Sequence, residues 1–210
     1  MLKYFSNIYN LYWKHKNFLP KKQYSCFGED LFIKDFFEND NEGYYVDVGS
    51  YHPFFWNNTY LLYKKNWNGI NIDANPLSTE LFNIARKDDY NFNLAVTNKN
   101  KNKIKLFYRR SMNVLNTTDE SFAKRNFPNG YESREIECLS LNNILEKTKF
   151  KNKIIDFLNV DVENTEKDVL ESLNFDIYKP RLICVEIHSE NEESFKNNPT
   201  FNFLVEKGYK

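Results

Sequence analysis

The chain has 210 residues, with 29 Lys and Arg against 29 Asp and Glu, so the basic surplus of a nucleic-acid binder is missing. A hydrophobic share of 41%, with 17% aromatics, suffices for the core of one domain, and no apolar run is long enough for a transmembrane segment. Cys26, Cys138 and Cys184 show no metal-ligand spacing and read as reduced thiols; with no signal-peptide core, this points to a cytoplasmic protein.

Residues 1–22 place Tyr4, Phe5, Ile8, Tyr9 and Tyr12 at helical spacing, with lysines at the C-terminal end. This predicts an amphipathic helical segment packed on the body or on a second subunit, in preference to a membrane contact, ahead of one domain over 23–210. A helix is expected over Phe27–Phe37, with Leu31, Phe32, Phe36 and Phe37 inward. Strand Tyr44–Gly49, helix Asn57–Lys65 and strand Gly69–Asp73 follow. Next come a helix capped by Ser78, with Leu81, Phe82 and Ile84 on its face, and strand Asn91–Thr97. The order β-α-β-α-β implies a mostly parallel sheet with helices on both faces. Residues 98–135 read as a polar turn, an alternating strand and a long loop. Beyond them the pattern gives strand Arg134–Leu139, helix Leu141–Lys147, strand Ile154–Val162, helix Glu166–Leu173, strand Leu182–His188 and helix Thr200–Lys207.

Two of these strands end in an aspartate beside turn-forming residues: Asp47-Val48-Gly49-Ser50 and Asp73-Ala74-Asn75-Pro76. In open parallel sheets ligands bind outside the carboxyl ends of the strands. Gly49 allows close backbone approach, and Asp73, 24 positions later, is placed to accept the hydroxyls of a ribose. The first loop carries one glycine and no G-x-G-x-x-G, which argues against a pyrophosphate and hence against a nicotinamide oxidoreductase. A ribose-bearing cofactor without phosphates fits, and S-adenosylmethionine is the obvious one. Asp47 would then suit its charged amino-acid end, directly or through water.

The stretches "YSCFGEDLFIKDFF", "YYVDVGSYHP", "NNTYLLYKKNWNGINIDANP", "LAVTN", "IDFLNVDVENTEKDVLESL" and "PRLICVEI" together resemble the FkbM-type S-adenosylmethionine-dependent methyltransferases, from about Tyr24 to Tyr209. The resemblance implies a Rossmann-like class I methyltransferase fold and O-methylation, often of sugars. It puts Asp47 and Gly49, with Ser50 and Tyr51 after them, in the first cofactor motif. Asp73 and Asn75 fall on the ribose side, Ala95 near the adenine, and Asp161 and Glu163 in the acidic motif after the fourth strand. Cys26 stands where the family usually has Gln. Asn164 stands where Gly is usual, a mild change because Asn tolerates positive φ. The family also continues into a closing C-terminal β-hairpin that is missing after Gly208-Tyr209-Lys210. Strand Leu182–His188 is therefore expected at an edge, covered by the N-terminal segment, by a neighbouring subunit as in a homodimer, or by a further C-terminal part.

Methyl transfer to an alcohol needs alignment and a base. Asp161, Glu163 and His188 end strands beside the presumed cleft and are the catalytic candidates; histidine changes charge near neutrality, which suits a base. His52 reads as pocket lining. Asp161, Glu163 and Glu186 could instead hold Mg²⁺ or Ca²⁺, although no metal ligand is assigned. In the rival arrangement Asp161 faces the cofactor while Glu163 bonds backbone N–H groups of the next helix. Tyr51, Phe54, Phe55 and Trp56 crowd the first loop, some as core and some as a stacking floor. The expected function is O-methylation of a hydroxyl on a sugar or other glycan precursor. The alternative is a non-catalytic interaction module on the same fold.

Overall fold

The computed structural model describes residues 2–19 and 21–210. Helix α1 (Leu2–Ile8) runs into a π-helical turn at Tyr9–Trp13. There follow α2 (Glu29–Phe36), β1 (Tyr44–Val48), α3 (Tyr60–Lys64), β2 (Asn68–Asp73), α4 (Pro76–Ala85), β3 (Tyr90–Asn93) and β4 (Ala95–Val96). The second half comprises β5 (Lys103–Tyr108), α5 (Glu120–Asn126), β6 (Glu132–Leu139), α6 (Leu141–Leu145), β7 (Phe157–Val160), α7 (Glu166–Glu171), α8 (Phe175–Tyr178), β8 (Leu182–Val185), α9 (Glu192–Lys196) and α10 (Pro199–Glu206).

The main sheet has the order β3-β2-β1-β7-β8, and every pairing in it is parallel. Alternation splits its side chains between two faces. Val46, Val48, Leu158 and Val160 pack with Leu141, Ile144, Val169 and Leu170 on one side. Tyr45 and Phe157 pack with Ile33, Phe37, Leu62 and Trp67 on the other. Helices thus cover both faces, the α/β architecture expected of a Rossmann-like methyltransferase. The chain leaves β1 toward β2 and β3, then returns to β1's other side as β7. The order in which strands are added reverses between β1 and β7, which makes that crevice the place for a ligand.

The expected strand Asn91–Thr97 is broken into β3 and β4, because β4 leaves the main sheet to pair with β6. The expected long loop contains α5, started by Asp119, whose side chain accepts from the backbone N–H groups of Ser121 and Phe122. Asn75, not Ser78, caps α4: its side chain accepts from Leu77 N at 3.1 Å, with Pro76 in the first turn. Ser78 lies inside the helix and is fully buried.

Two expected helix faces differ; of the four residues expected inward at 27–37, Phe37 alone is buried. In α2 the core takes Ile33 and Phe37, while Leu31, Phe32 and Phe36 are exposed. The cause is Asp30, fully buried, which accepts from Tyr24 N at 2.6 Å and Ser25 Oγ at 2.7 Å and so fixes which side faces inward. In the N-terminal segment Asn7 and Leu11 turn inward, and Tyr4, Phe5, Tyr9, Tyr12 and Trp13 are exposed. α1 meets α4 through polar contacts instead, with Asn7 Nδ2 donating to Glu80 at 3.0 Å and Lys3 pairing with Glu80 at 2.6 Å. Residues 1 and 20 of that segment lie outside the described residues.

β8 is an edge of the main sheet, shorter than the expected Leu182–His188. An apolar groove of about 1050 Å³ runs beside it, lined by Ile183, Val185, Phe201, Val205 and Tyr209. No helix among the described residues is long and apolar enough to cross a membrane.

Candidate active site

The crevice begins at Gly49. Its φ of +82° is a left-handed conformation, and its backbone N–H donates to Ile72 O at 2.9 Å, folding the loop over the end of β2. A Cβ at this position would stand 1.6 Å from the Asp161 carbonyl oxygen. The glycine is therefore required for the ends of β1 and β7 to meet. Tyr51 follows with a φ of 54°, a conformation costly for a bulky residue.

Asp73 closes β2 and ties two loops together. One carboxylate oxygen accepts from Tyr51 N and the other from Asn75 N, both at 2.7 Å. Burial pushes its pKa up to about 6 against the lowering effect of those two hydrogen bonds. Each carboxylate oxygen has a second acceptor position. A cavity of about 60 Å³ opens there, lined by Gly49, Tyr51, Asp73, Asn75, Ala95 and Asp161 among others. Asn75 spends its own amide elsewhere, capping α4 and donating to Ser111 O at 2.7 Å, which anchors the loop after β5.

Asp47 lies one layer deeper, only 1% exposed. Its carboxylate accepts from Asn159 Nδ2 at 2.9 Å, Thr59 Oγ1 at 3.0 Å and Asn57 Nδ2 at 3.1 Å. Burial raises its pKa, opposed by those donors and by the Arg86 charge. Asp47 thus sits at the floor of the cleft and sets the orientation of Asn57 and Asn159. Ser50 is buried beside it, with its carbonyl facing Asn57.

The acidic end of the crevice is built on the loop after β7 and the extension of β8. Glu163 and Asn164 have φ of +59° and +82°, so the position where Asn replaces the usual Gly is indeed left-handed. Glu166, not Glu163, takes up the loop's backbone donors, from Asn164 N at 3.0 Å and Val162 N at 3.3 Å. This frees the Glu163 side chain to face His188, whose Nε2 stands 3.5 Å from Glu163 Oε2 and 3.3 Å from Glu186 Oε2. Burial first, then the charges of Glu186 and Glu166, push the Glu163 carboxyl up to about 8. Asp161 opens to the cleft, yet desolvation by the cleft walls and the adjoining Glu186 and Glu163 raise its carboxyl well above the usual range. Such clustering of perturbed acids in a cleft is the mark of a functional site.

A larger cleft, about 560 Å³, continues from this end and is lined by Asp47, Asp161, Glu163 and Glu186, with Trp56 and Phe27 at its exposed rim. The two spaces share Gly49, Tyr51, Val114 and Asp161. The expected site residues Asp47, Gly49, Ser50, Tyr51, Asp73, Asn75, Ala95, Asp161 and Glu163 therefore border one continuous crevice, whereas His188 lines a separate cavity beside it and reaches the crevice only through Glu163 and Glu186. His52 does not border the crevice: it is fully buried, its Nδ1 accepting from Phe54 and Phe55 N, and burial lowers its pKa to about 3. Sequence reading passed over Asn57, Thr59, Asn159 and Arg86, whose roles depend on pairings across 10 to 112 positions.

Comparison with curated proteins found no match, nor did comparison with solved structures. The model of the methyltransferase FkbM domain matches residues 47–210, from the first aspartate of the crevice to the last residue. With that match across most of its length, and a parallel sheet whose crevice carries the acidic strand ends, the chain belongs to the FkbM methyltransferase domain family.

Proposed function

We propose that this chain is an S-adenosylmethionine-dependent O-methyltransferase acting on a hydroxyl of a sugar or glycan precursor in the cytoplasm. The observation that carries the reading is Asp73: a carboxylate at the end of β2, beside the switch point, with acceptor positions turned toward a cavity and no glycine-rich turn for phosphates nearby. The cofactor supplies a methyl group made electrophilic by its sulfonium. Asp73 binds the ribose hydroxyls with Asn75 beside it, Ala95 flanks the adenine, and the loop Gly49–Tyr51 presents its backbone. Asp47 orders the polar floor under the amino-acid end through Asn57 and Asn159. His188, Asp161 and Glu163 form the cluster that receives the acceptor's proton. The half-exposed Trp56 and the exposed Phe27 offer flat faces to a sugar ring at the cleft mouth.

Titration calorimetry with S-adenosylmethionine tests this directly. Asp73→Ala is expected to weaken binding by about 1.5–3 kcal/mol, the range for hydrogen bonds to a charged group. Unchanged affinity rejects the ribose role.

The same carboxylate predicts a pH dependence. Ribose hydroxyls donate to the ionised form, so affinity should rise as the pH climbs through about 6 and fall about tenfold per unit well below it. Ligand-free stability should run the other way. The raised pKa gives Asp73 a contribution that is full below about pH 4 and lost as the pH rises through about 6, at most about 3 kcal/mol. Asp73→Asn should flatten both slopes; an affinity profile that keeps its slope in the variant assigns it to another group.

A further inference from the structure

Glu163, Glu186 and His188 each offer one ligand atom, and these atoms all lie within 4.8 Å of one another. The three come from two separate segments, the loop after β7 and the extension of β8, which run side by side because β7 and β8 pair in parallel. Two carboxylates and an imidazole beside each other need a shared partner. An imidazolium donating to both acids would supply one, but the contacts are not hydrogen bonds. Glu163 Oε2 and Glu186 Oε2 are both buried oxygens without a hydrogen-bond partner among the described residues, although His188 Nε2 is 3.5 Å and 3.3 Å away. The Glu163 side chain is only 9% exposed, so water does not readily replace the missing donor.

We propose that Glu163, Glu186 and His188 bind a divalent cation of the mixed oxygen–nitrogen class, such as Mn²⁺. Neighbouring ligands of a six-coordinate ion bound at about 2.1 Å stand about 3 Å apart, close to the two contacts observed. A lone imidazole with two carboxylates and no thiolate suits Mn²⁺, Fe²⁺ or Zn²⁺ better than Ca²⁺. The chain supplies three ligands, and the cluster stands between two openings: Glu163 and Glu186 line the cleft of about 560 Å³, while Glu186 and His188 line a cavity of about 230 Å³ beside α7. Open positions on the ion are then available to water or to acceptor hydroxyls. The ring of Phe122, 5.5 Å from that of His188, limits how far the imidazole can swing away.

The inference deepens the methyltransferase reading and rests on it for its purpose: a cation here selects an acceptor with neighbouring hydroxyls, Glu163 and His188 serve as ligands, and Asp161 of that cluster is left to receive the acceptor's proton. The binding itself is testable without turnover. The full chain, stripped with EDTA, is titrated with Mn²⁺ while the electron paramagnetic resonance signal of the free aqueous ion is followed. One Mn²⁺ per chain should bind, and its thermal midpoint should rise with added Mn²⁺. Glu163→Gln, which keeps the shape, and His188→Ala should each weaken Mn²⁺ binding by about tenfold or more, with circular dichroism confirming that both variants fold. No loss of free signal at millimolar Mn²⁺, or equal affinity in Glu163→Gln, overturns the site. A parallel titration of the stripped protein with S-adenosylmethionine separates the two ideas. Cofactor binding without Mn²⁺ binding removes the cation and keeps the reading; Mn²⁺ binding without cofactor binding does the reverse.

Discussion

Gly49→Ala is expected to prevent formation of the cofactor crevice and to cost the protein more than about 4 kcal/mol, the level at which a single substitution is exceptional. Two effects add. The left-handed φ of +82° costs an alanine about 1–2 kcal/mol by itself. The added Cβ then meets the Asp161 carbonyl at 1.6 Å, and that contact is with backbone, which no side-chain rotation relieves. Asp161 N donates to Val48 O at 2.9 Å, so moving the carbonyl away also strips the last bond between β1 and β7. Chemical denaturation and calorimetry together read the result. A variant with near-normal stability and cofactor affinity would show that the ends of β1 and β7 do not need this approach. An intermediate outcome, folded but unable to bind, would place the distortion at the crevice alone.

Gly49 also shows why this part of the molecule was legible in the sequence. A glycine directly after an apolar strand, followed by an aspartate at the end of the next strand, records local geometry, and local geometry leaves a local signature. Asn164 did the same for the loop after β7. The strand order could be argued from alternation of elements, since parallel strands need crossovers. Helix orientation could not. The spacing in α2 and α1 is amphipathic, but the side that faces inward follows Asp30 binding Tyr24 and Ser25 in the one, and the contacts of Asn7 and Lys3 with Glu80 of α4 in the other. Both are tertiary or backbone events that apolar periodicity does not encode. The acidic cluster was half legible. Asp161, Glu163 and His188 stand out as polar residues ending apolar strands. That Glu166 would absorb the backbone donors, leaving Glu163 free to face His188, depends on a loop conformation with two consecutive left-handed residues.

Arg86 gave no local signal at all, lying in the unremarkable run Ala85-Arg86-Lys87-Asp88, yet Arg86→Met is expected to cost about 3–5 kcal/mol, the range for stripping a buried charge from its partners. The guanidinium is fully buried, where an arginine is rarely found. It donates to Thr59 Oγ1 at 2.8 Å, Asn57 Oδ1 at 2.7 Å and the Tyr45 hydroxyl at 3.1 Å, and also to the Pro53 carbonyl. These partners are all neutral; the balancing charges are one residue further off. Asp47 is reached through Asn57 and Thr59, and Asp89 through Tyr45. Four aromatic rings, Tyr45, Tyr60, Tyr63 and Phe82, lie within 5.8 Å of the guanidinium carbon. Methionine fills similar space but leaves Asn57, Thr59 and Pro53 without donors and leaves Asp47 buried without its opposing charge. The loss should therefore be coupled to Asp47. In a double-mutant cycle, Asp47→Asn should cost less by at least about 1 kcal/mol in the Arg86→Met background than alone. The effect should also reach the site, because Arg86 holds Pro53 and Asn57 and with them the loop from Ser50 to Trp56 that walls the crevice. Cofactor affinity should fall in Arg86→Met even at temperatures where the variant is fully folded. A loss of stability below about 1 kcal/mol, or simple additivity with Asp47→Asn, would mean that the buried charge is balanced by something other than this relay.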